Sequence, residues 1–226
     1  MTSAVRSSRP MMLAGGAVLL LALGLVVLML VRPSSSAGSA STAGSASTAG
    51  SASAAAAPSD TSVDVGFARD MSIHHQQAVE MSFIVRDRTS DEAVRRLAYD
   101  IINTQANQRG MMLGWLEMWG RAKSSSAPPM EWMGHTFTPR GDGSLMPGMA
   151  TDTELDALRA AKGKDAEVLF LKLMTSHHRA GAEMAQAAAD SADTDAIRNL
   201  AAGMVRGQQS EIALMADMLK ERGSTG

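Results

Sequence analysis

Cysteine is absent from the 226 residues, so neither a disulfide framework nor a lipoprotein cysteine is available. Any soft-metal chemistry must therefore come from methionine and histidine. Charge of one sign is scarce too: the formal net charge is −2, and no basic stripe runs along the chain, which argues against a nucleic-acid partner. No alternating apolar–polar run of useful length occurs, which points away from a β-sheet. A Gly-rich phosphate loop, a nucleophile elbow and a His-Glu-x-x-His zinc motif are all missing. Acidic residues are missing before Asp60, so the 23 of them face only 18 basic residues after that point and leave the remainder near −5.

The N-terminal part divides into three. Residues 1–10 carry Arg6 and Arg9 and read as a cytoplasmic n-region. Met11 to Val31 is uncharged and, as a helix, would reach roughly 31 Å, about one hydrocarbon core. It is longer than the apolar region of a cleaved signal and runs into Arg32-Pro33, so an uncleaved transmembrane signal anchor is expected, with the rest of the chain outside the cytoplasm. Residues 32–59 are mostly Ser, Ala, Gly and Thr, a flexible linker with too little apolar surface to fold. Residues 60–226 remain for the folded domain.

That domain states one pattern twice, 103 residues apart. The first copy reads Phe67, Met71, His74-His75, Ala78, Met81, and the second Phe170, Met174, His177-His178, Gly181, Met184. The register continues through Arg95/Arg198, Leu97/Leu200, Gln105/Gln208 and Met112/Met215. Three-and-four apolar spacing predicts helices over Val63–Arg88, from a Thr89 or Ser90 N-cap to about Arg121, over Asp165–Ala189, and from an Asp193 N-cap to about Arg222. A long connection, Ala122 to Gly163, separates the hairpins, with a short helix started by Thr151-Asp152-Thr153-Glu154. Two hairpins and a long crossover make an all-α, ferritin-like four-helix bundle in which the first and third helices run antiparallel and their histidines meet at mid-bundle. In the crossover, Met130, Trp132, Met133, His135, Met146 and Met149 read either as a metal-capture loop or as apolar cover over the bundle end.

Four of the five histidines lie in the two pairs. Met71, His74, Ala78 and Met81 share one helix face, as do Met174, His177, Gly181 and Met184. Imidazole and thioether donors suit Cu(I) or Ag(I), where hard cations would want carboxylates. Adjacent histidines point about 100° apart, so one of each pair can ligate while its neighbour orients it or serves a second ion. The expected metal ligands are His74, His75, His177 and His178, supported by Met71, Met81, Met174 and Met184, and the expected cofactor is copper, Cu(I) before Cu(II). Two other readings stand beside this one. The histidines can be core groups hydrogen-bonded to Gln105 and Gln208 in a structural or interaction module. A di-metal redox enzyme is the other, although Glu80 and Glu183 fall about 180° from the methionine–histidine stripe. No catalytic residue is assigned.

Phe-x3-Met-x2-His-His-x2-Ala-x2-Met, a downstream Leu-Ala-x2-Ile-Ile-x2-Gln, a Met-Pro-Gly-Met loop and a second such half resemble the bacterial family catalogued as domain of unknown function 305, over about residues 60–222. The resemblance implies a secreted or envelope-anchored ferritin-like bundle, some of whose members bind copper. The expected partners are a metal ion, the membrane through the N-terminal helix, and an envelope metal-handling protein. One departure stands out. The family's Gln-x-x-Glu is kept at Gln208 and Glu211, but the first copy has Gln105 and Gln108.

Overall fold

A computed structural model describes residues 56–134 and 137–224. The anchor expected at Met11–Val31, most of the expected linker and His135 lie outside the described residues. Among those described, no helix is long and apolar enough to cross a membrane.

Five α-helices follow in order: α1 Val63–Arg86, α2 Glu92–Met118, α3 Asp152–Ala160, α4 Gly163–Ser191 and α5 Asp195–Glu221. A 3-10 turn, Glu131–Met133, sits in the crossover. The described residues contain no strand, so the fold is all-α as expected. Side-chain oxygens cap the starts of α1, α2, α3 and α5, while Lys162 at the start of α4 gives no side-chain cap. Ser62 accepts from Val65 N–H, and Thr151 forms the full capping box with Glu154. The caps of α2 and α5 fall later than the sequence suggests, at Asp91 and Thr194 rather than at Thr89 or Ser90 and at Asp193. Tertiary contacts cause the difference. Thr89 Oγ1 donates to Glu167 at 2.5 Å while accepting from Asp91 N–H, and Asp193 gives its N–H to Asp64.

The central pair is α1 and α4, with α2 packed on α1 and α5 on α4. Their antiparallel sense shows at both ends. Asp64, at the start of α1, accepts from Asp193 N–H, Thr194 N–H and Thr194 Oγ1, beyond the end of α4. At the other end Gly163 N–H donates to Arg88 C=O, and Glu167 takes Thr89 and Arg222. Asp64 and Glu167 are 103 residues apart, so each copy's carboxylate clasps the turn of the other hairpin. Arg95 and Arg198 repeat the symmetry on the carbonyls closing their own hairpins, Arg86 and Thr89 in one copy and Ala192 in the other.

Two apolar clusters result, one on each side of mid-bundle. Phe67, Met71, Met112, Leu116, Met184 and Met204 belong to the first. Met81, Ile101, Phe170, Met174 and Met215 belong to the second. Between the two clusters each long helix carries a pair of polar side chains: His74 and His75, Gln105 and Gln108, His177 and His178, Gln208 and Glu211. The bundle is a pair of cores with a polar waist.

The described part of the crossover packs as cover against the bundle. Met130, Met146 and Met149 are buried in the first cluster. Asp70 accepts from Met130 N–H at 2.7 Å and from Trp132 Nε1–H at 2.9 Å, while the Gln77 amide exchanges two hydrogen bonds with the Ala150 backbone. Gly148 brings the loop onto α4. Its φ is +74°, and an added Cβ would lie 2.6 Å from Ser176 O and from Ala180 Cβ, so only glycine fits there.

Candidate functional site: the histidine layer

The four histidines are brought together as the register suggested, and all are buried at 0–1 % exposure. His74 and His177 meet face to face, ring centroids 3.7 Å apart and planes 30° off parallel. Close approach depends on Gly181, since a Cβ there would fall 2.5 Å from Gln208 Oε1 and 3.1 Å from His74 Cε1. His75 and His178 turn outward to the flanking helices. Their Nε2 atoms lie 2.8 Å from Gln108 Oε1 and 2.6 Å from Glu211 Oε2.

Gln105 and Gln208 are therefore not the imidazole partners; Gln108 and Glu211 are. Both candidates on each helix lie three residues apart and face α1 or α4, so spacing alone does not separate them. The departure at Gln108 was the available signal. The carbonyl oxygens of Gln105 and Gln208 are instead buried with no protein partner. So are His74 Nδ1 and Nε2, His75 Nδ1, His177 Nε2 and His178 Nδ1. An unsatisfied buried polar group costs about 1–3 kcal/mol. Seven such atoms together rival the whole net stability of a domain, about 5–15 kcal/mol. The rest of the protein offers these seven atoms no hydrogen-bond partner.

The expected methionines are all fully buried. Met71 and Met184 belong to the cluster on one side of the layer, Met81 and Met174 to that on the other. The repeated acids are elsewhere: Glu80 pairs with Arg159 at the surface, and Glu183 is exposed. Among the described residues no three His, Asp or Glu side chains converge as a ready-made cage, so the layer offers imidazoles in pairs. A cleft of about 330 Å³ opens elsewhere, near Arg69, Asp70 and Trp132, and no histidine lines it. A bare ion needs no cleft.

Burial keeps His74, His75 and His177 neutral. Burial drives the His74 pKa down to about 3, helped by His75 and His178. Burial likewise takes His75 to about 4 against the opposing bond to Gln108, and His177 falls well below its usual value for the same first reason. In the unfolded chain these groups titrate near 6.5. Folded values below unfolded ones mean that acid protonates the unfolded chain first. The stability is whole above about pH 6.5 and is lost as pH falls toward the folded values. At pH 5 His74 and His75 should each cost about 2 kcal/mol. The melting temperature of metal-free protein, followed by circular dichroism, should drop steeply between pH 7 and pH 5; a flat profile would contradict burial of neutral imidazoles.

Fold and site define a class: duplicated helical-hairpin bundles with a buried imidazole layer at the waist. The chain matches the family described as "Domain of unknown function (DUF305)" over residues 64–219 and belongs to it. A solved protein of that family from Streptomyces coelicolor, described as secreted, is 58% identical, with 74% of this chain and 98% of that one covered at a TM-score of 0.69. A DUF305 fragment from Deinococcus radiodurans is 28% identical, covering 70% of this chain and 96% of its own at 0.58. CopM in its Cu(I)-bound form is 22% identical, covering 70% and 96% at 0.53, a likeness of fold alone. No curated protein matches the chain.

Proposed function

We propose that the domain binds a soft metal ion, Cu(I) or Ag(I) first and Cu(II) second, for sequestration or transfer outside the cytoplasm. The observation that carries this reading is the set of five buried imidazole nitrogens without a protein partner, in a layer bounded by buried thioethers. The donor set fits such an ion: neutral imidazoles and thioethers need no deprotonation, and soft ligands select soft metals. His74, His75, His177 and His178 would hold it, with Met71, Met81, Met174 and Met184 in support. CopM, which shares the fold, has been solved with Cu(I), Cu(II) and silver. Gln108 and Glu211 would aim the outer rings.

The test is anaerobic Cu(I) and Ag(I) titration of the full chain with elemental analysis. Replacing His74 and His75 by alanine should weaken Cu(I) binding tenfold or more, about 1.4 kcal/mol, and the same should follow for His177 and His178. Met71→Leu and Met174→Leu conserve volume and should cost less than about 1.5 kcal/mol in stability, so a loss of affinity there reports thioether ligation. Unchanged binding in folded double-histidine variants would favour a structural module instead.

An extracytoplasmic site agrees with the secreted relative from Streptomyces coelicolor and with the uncharged Met11–Val31 stretch. A single-pass anchor at that stretch should keep the protein in the membrane fraction. A mature N-terminus near Ala37 or Gly44 would show that it is cleaved.

A further inference from the structure

The two halves of the histidine layer differ at one atom that matters. His75 Nε2 faces an amide oxygen of Gln108, whereas His178 Nε2 faces a carboxylate oxygen of Glu211. Positions 108 and 211 are register mates, so the pseudo-two-fold places an uncharged and a charged group at equivalent points. A carboxylate can only accept, so this bond is donated by His178 Nε2–H, and the tautomer that donates it with no second proton presents Nδ1, buried with no protein partner, as a lone pair. An amide can accept or donate, so Gln108 does not lock His75 in the same way.

Little other charge reaches the layer. Among the described residues, Glu211 is the one carboxylate hydrogen-bonded to an imidazole of the layer. Glu80 is paired at the surface, and Glu183 is exposed. Glu211 itself is 23% exposed, on the flank of the layer.

We propose that Glu211 is the charge-matching residue of the layer, so that the site selects a monovalent soft cation over a divalent one. This rests on the metal-binding reading above. A cation in a low-dielectric interior is costly unless its charge is balanced. Neutral imidazoles and thioethers supply donors but no charge, and the single carboxylate, acting through His178, balances one positive charge. A divalent ion leaves one charge uncompensated. The carboxylate also strengthens the His178 Nδ1 donor through the Nε2–H bond, which makes this half of the layer the tighter one.

Copper provides the test, because its two oxidation states carry different charges on the same element. Cu(I) and Cu(II) affinities, and the potential of the bound couple, are measured on the full chain and three variants. Gln108→Glu adds a second carboxylate and should shift the affinity ratio at least tenfold toward Cu(II), lowering the potential by about 59 mV or more. Glu211→Gln should move it by a similar amount the other way. The swap Gln108→Glu with Glu211→Gln carries one carboxylate on the opposite side and should return the ratio to the wild-type value. That rescue would not follow from a merely structural role. Imidazole nitrogen NMR of metal-free protein should show His178 as the Nε2–H tautomer, and Glu211→Gln should release it. Equal shifts for both ions in the single variants, or a folded swap variant that keeps an altered ratio, would overturn the proposal while leaving metal binding intact. Wild-type protein that takes up neither ion would overturn the functional reading, and this inference with it.

Discussion

Leucine at both His74 and His177 should make the metal-free protein more stable while removing its high-affinity site. The pair contributes three buried nitrogens with no protein partner, His74 Nδ1 and Nε2 and His177 Nε2. Replacing unsatisfied polar groups by apolar ones of similar size is neutral or stabilising, and leucine fills the space of two rings 3.7 Å apart without new donors. A gain of about 2 kcal/mol, or roughly 4–8 °C in melting temperature, is expected with chelator present. Cu(I) affinity should fall about a hundredfold, near 2.7 kcal/mol. The acid sensitivity of the fold should shrink as well, since two of the depressed imidazoles are gone. Thermal melts at two pH values and a competition titration read all three effects. A variant less stable than wild type would mean that the rings are satisfied in solution by partners worth keeping. The opposite signs are what a binding site predicts, since local stability is given up for an ordered set of free donors.

Asp64→Ala should produce the largest loss of stability at a single position outside the layer. The Asp64 carboxylate is fully buried and accepts three hydrogen bonds, 2.9 Å from Asp193 N, 2.9 Å from Thr194 N and 2.5 Å from Thr194 Oγ1. Alanine would strip two backbone N–H groups of their acceptor at the start of α5, each costing about 1–3 kcal/mol. A destabilisation of about 3–5 kcal/mol follows, roughly 10 °C in melting temperature. Asp64→Asn keeps the shape and one acceptor and should recover part of it. Cu(I) affinity of the folded fraction should change little, because the clasp lies beyond the first apolar cluster from the histidines. If Asp64→Ala melts within a degree or two of wild type, the clasp between hairpins contributes nothing.

Much of the architecture follows from periodicity. Repetition at a constant 103-residue offset gives two like hairpins, and the three-and-four apolar spacing gives the face each helix buries. From these the antiparallel α1–α4 pair and the meeting of His74 with His177 follow, because symmetric hairpins joined by a long crossover can bury both faces together only by crossing at their middles. Local capping chemistry was legible at Thr151, where the capping box is self-contained. It was misread by a residue or two at Asp91 and Thr194, where Glu167 and Asp64 recruit the neighbouring groups. Those two carboxylates are themselves register mates, a signal as regular as Glu80 and Glu183, but only assembly shows that the former pair is buried and the latter pair lies outside.

The sequence by itself determined which residues face inward, that the halves match, and that the ionisable side chains facing the middle of the bundle are chiefly histidines. Tertiary structure alone decided which polar group each imidazole meets. Gln105 and Gln108 lie on one side of α2, as Gln208 and Glu211 do on α5, and a helical repeat of about 100° per residue does not say which side chain spans the gap to the next helix. That depends on how closely the helices approach, set here by Gly181 and by the crossover seated on α4 through Gly148. At that separation Gln108 and Glu211 reach the outer rings while Gln105 and Gln208 do not. Five ring nitrogens are left over because distances between helices are a property of the packed whole, whereas the pattern along one helix is a property of the chain.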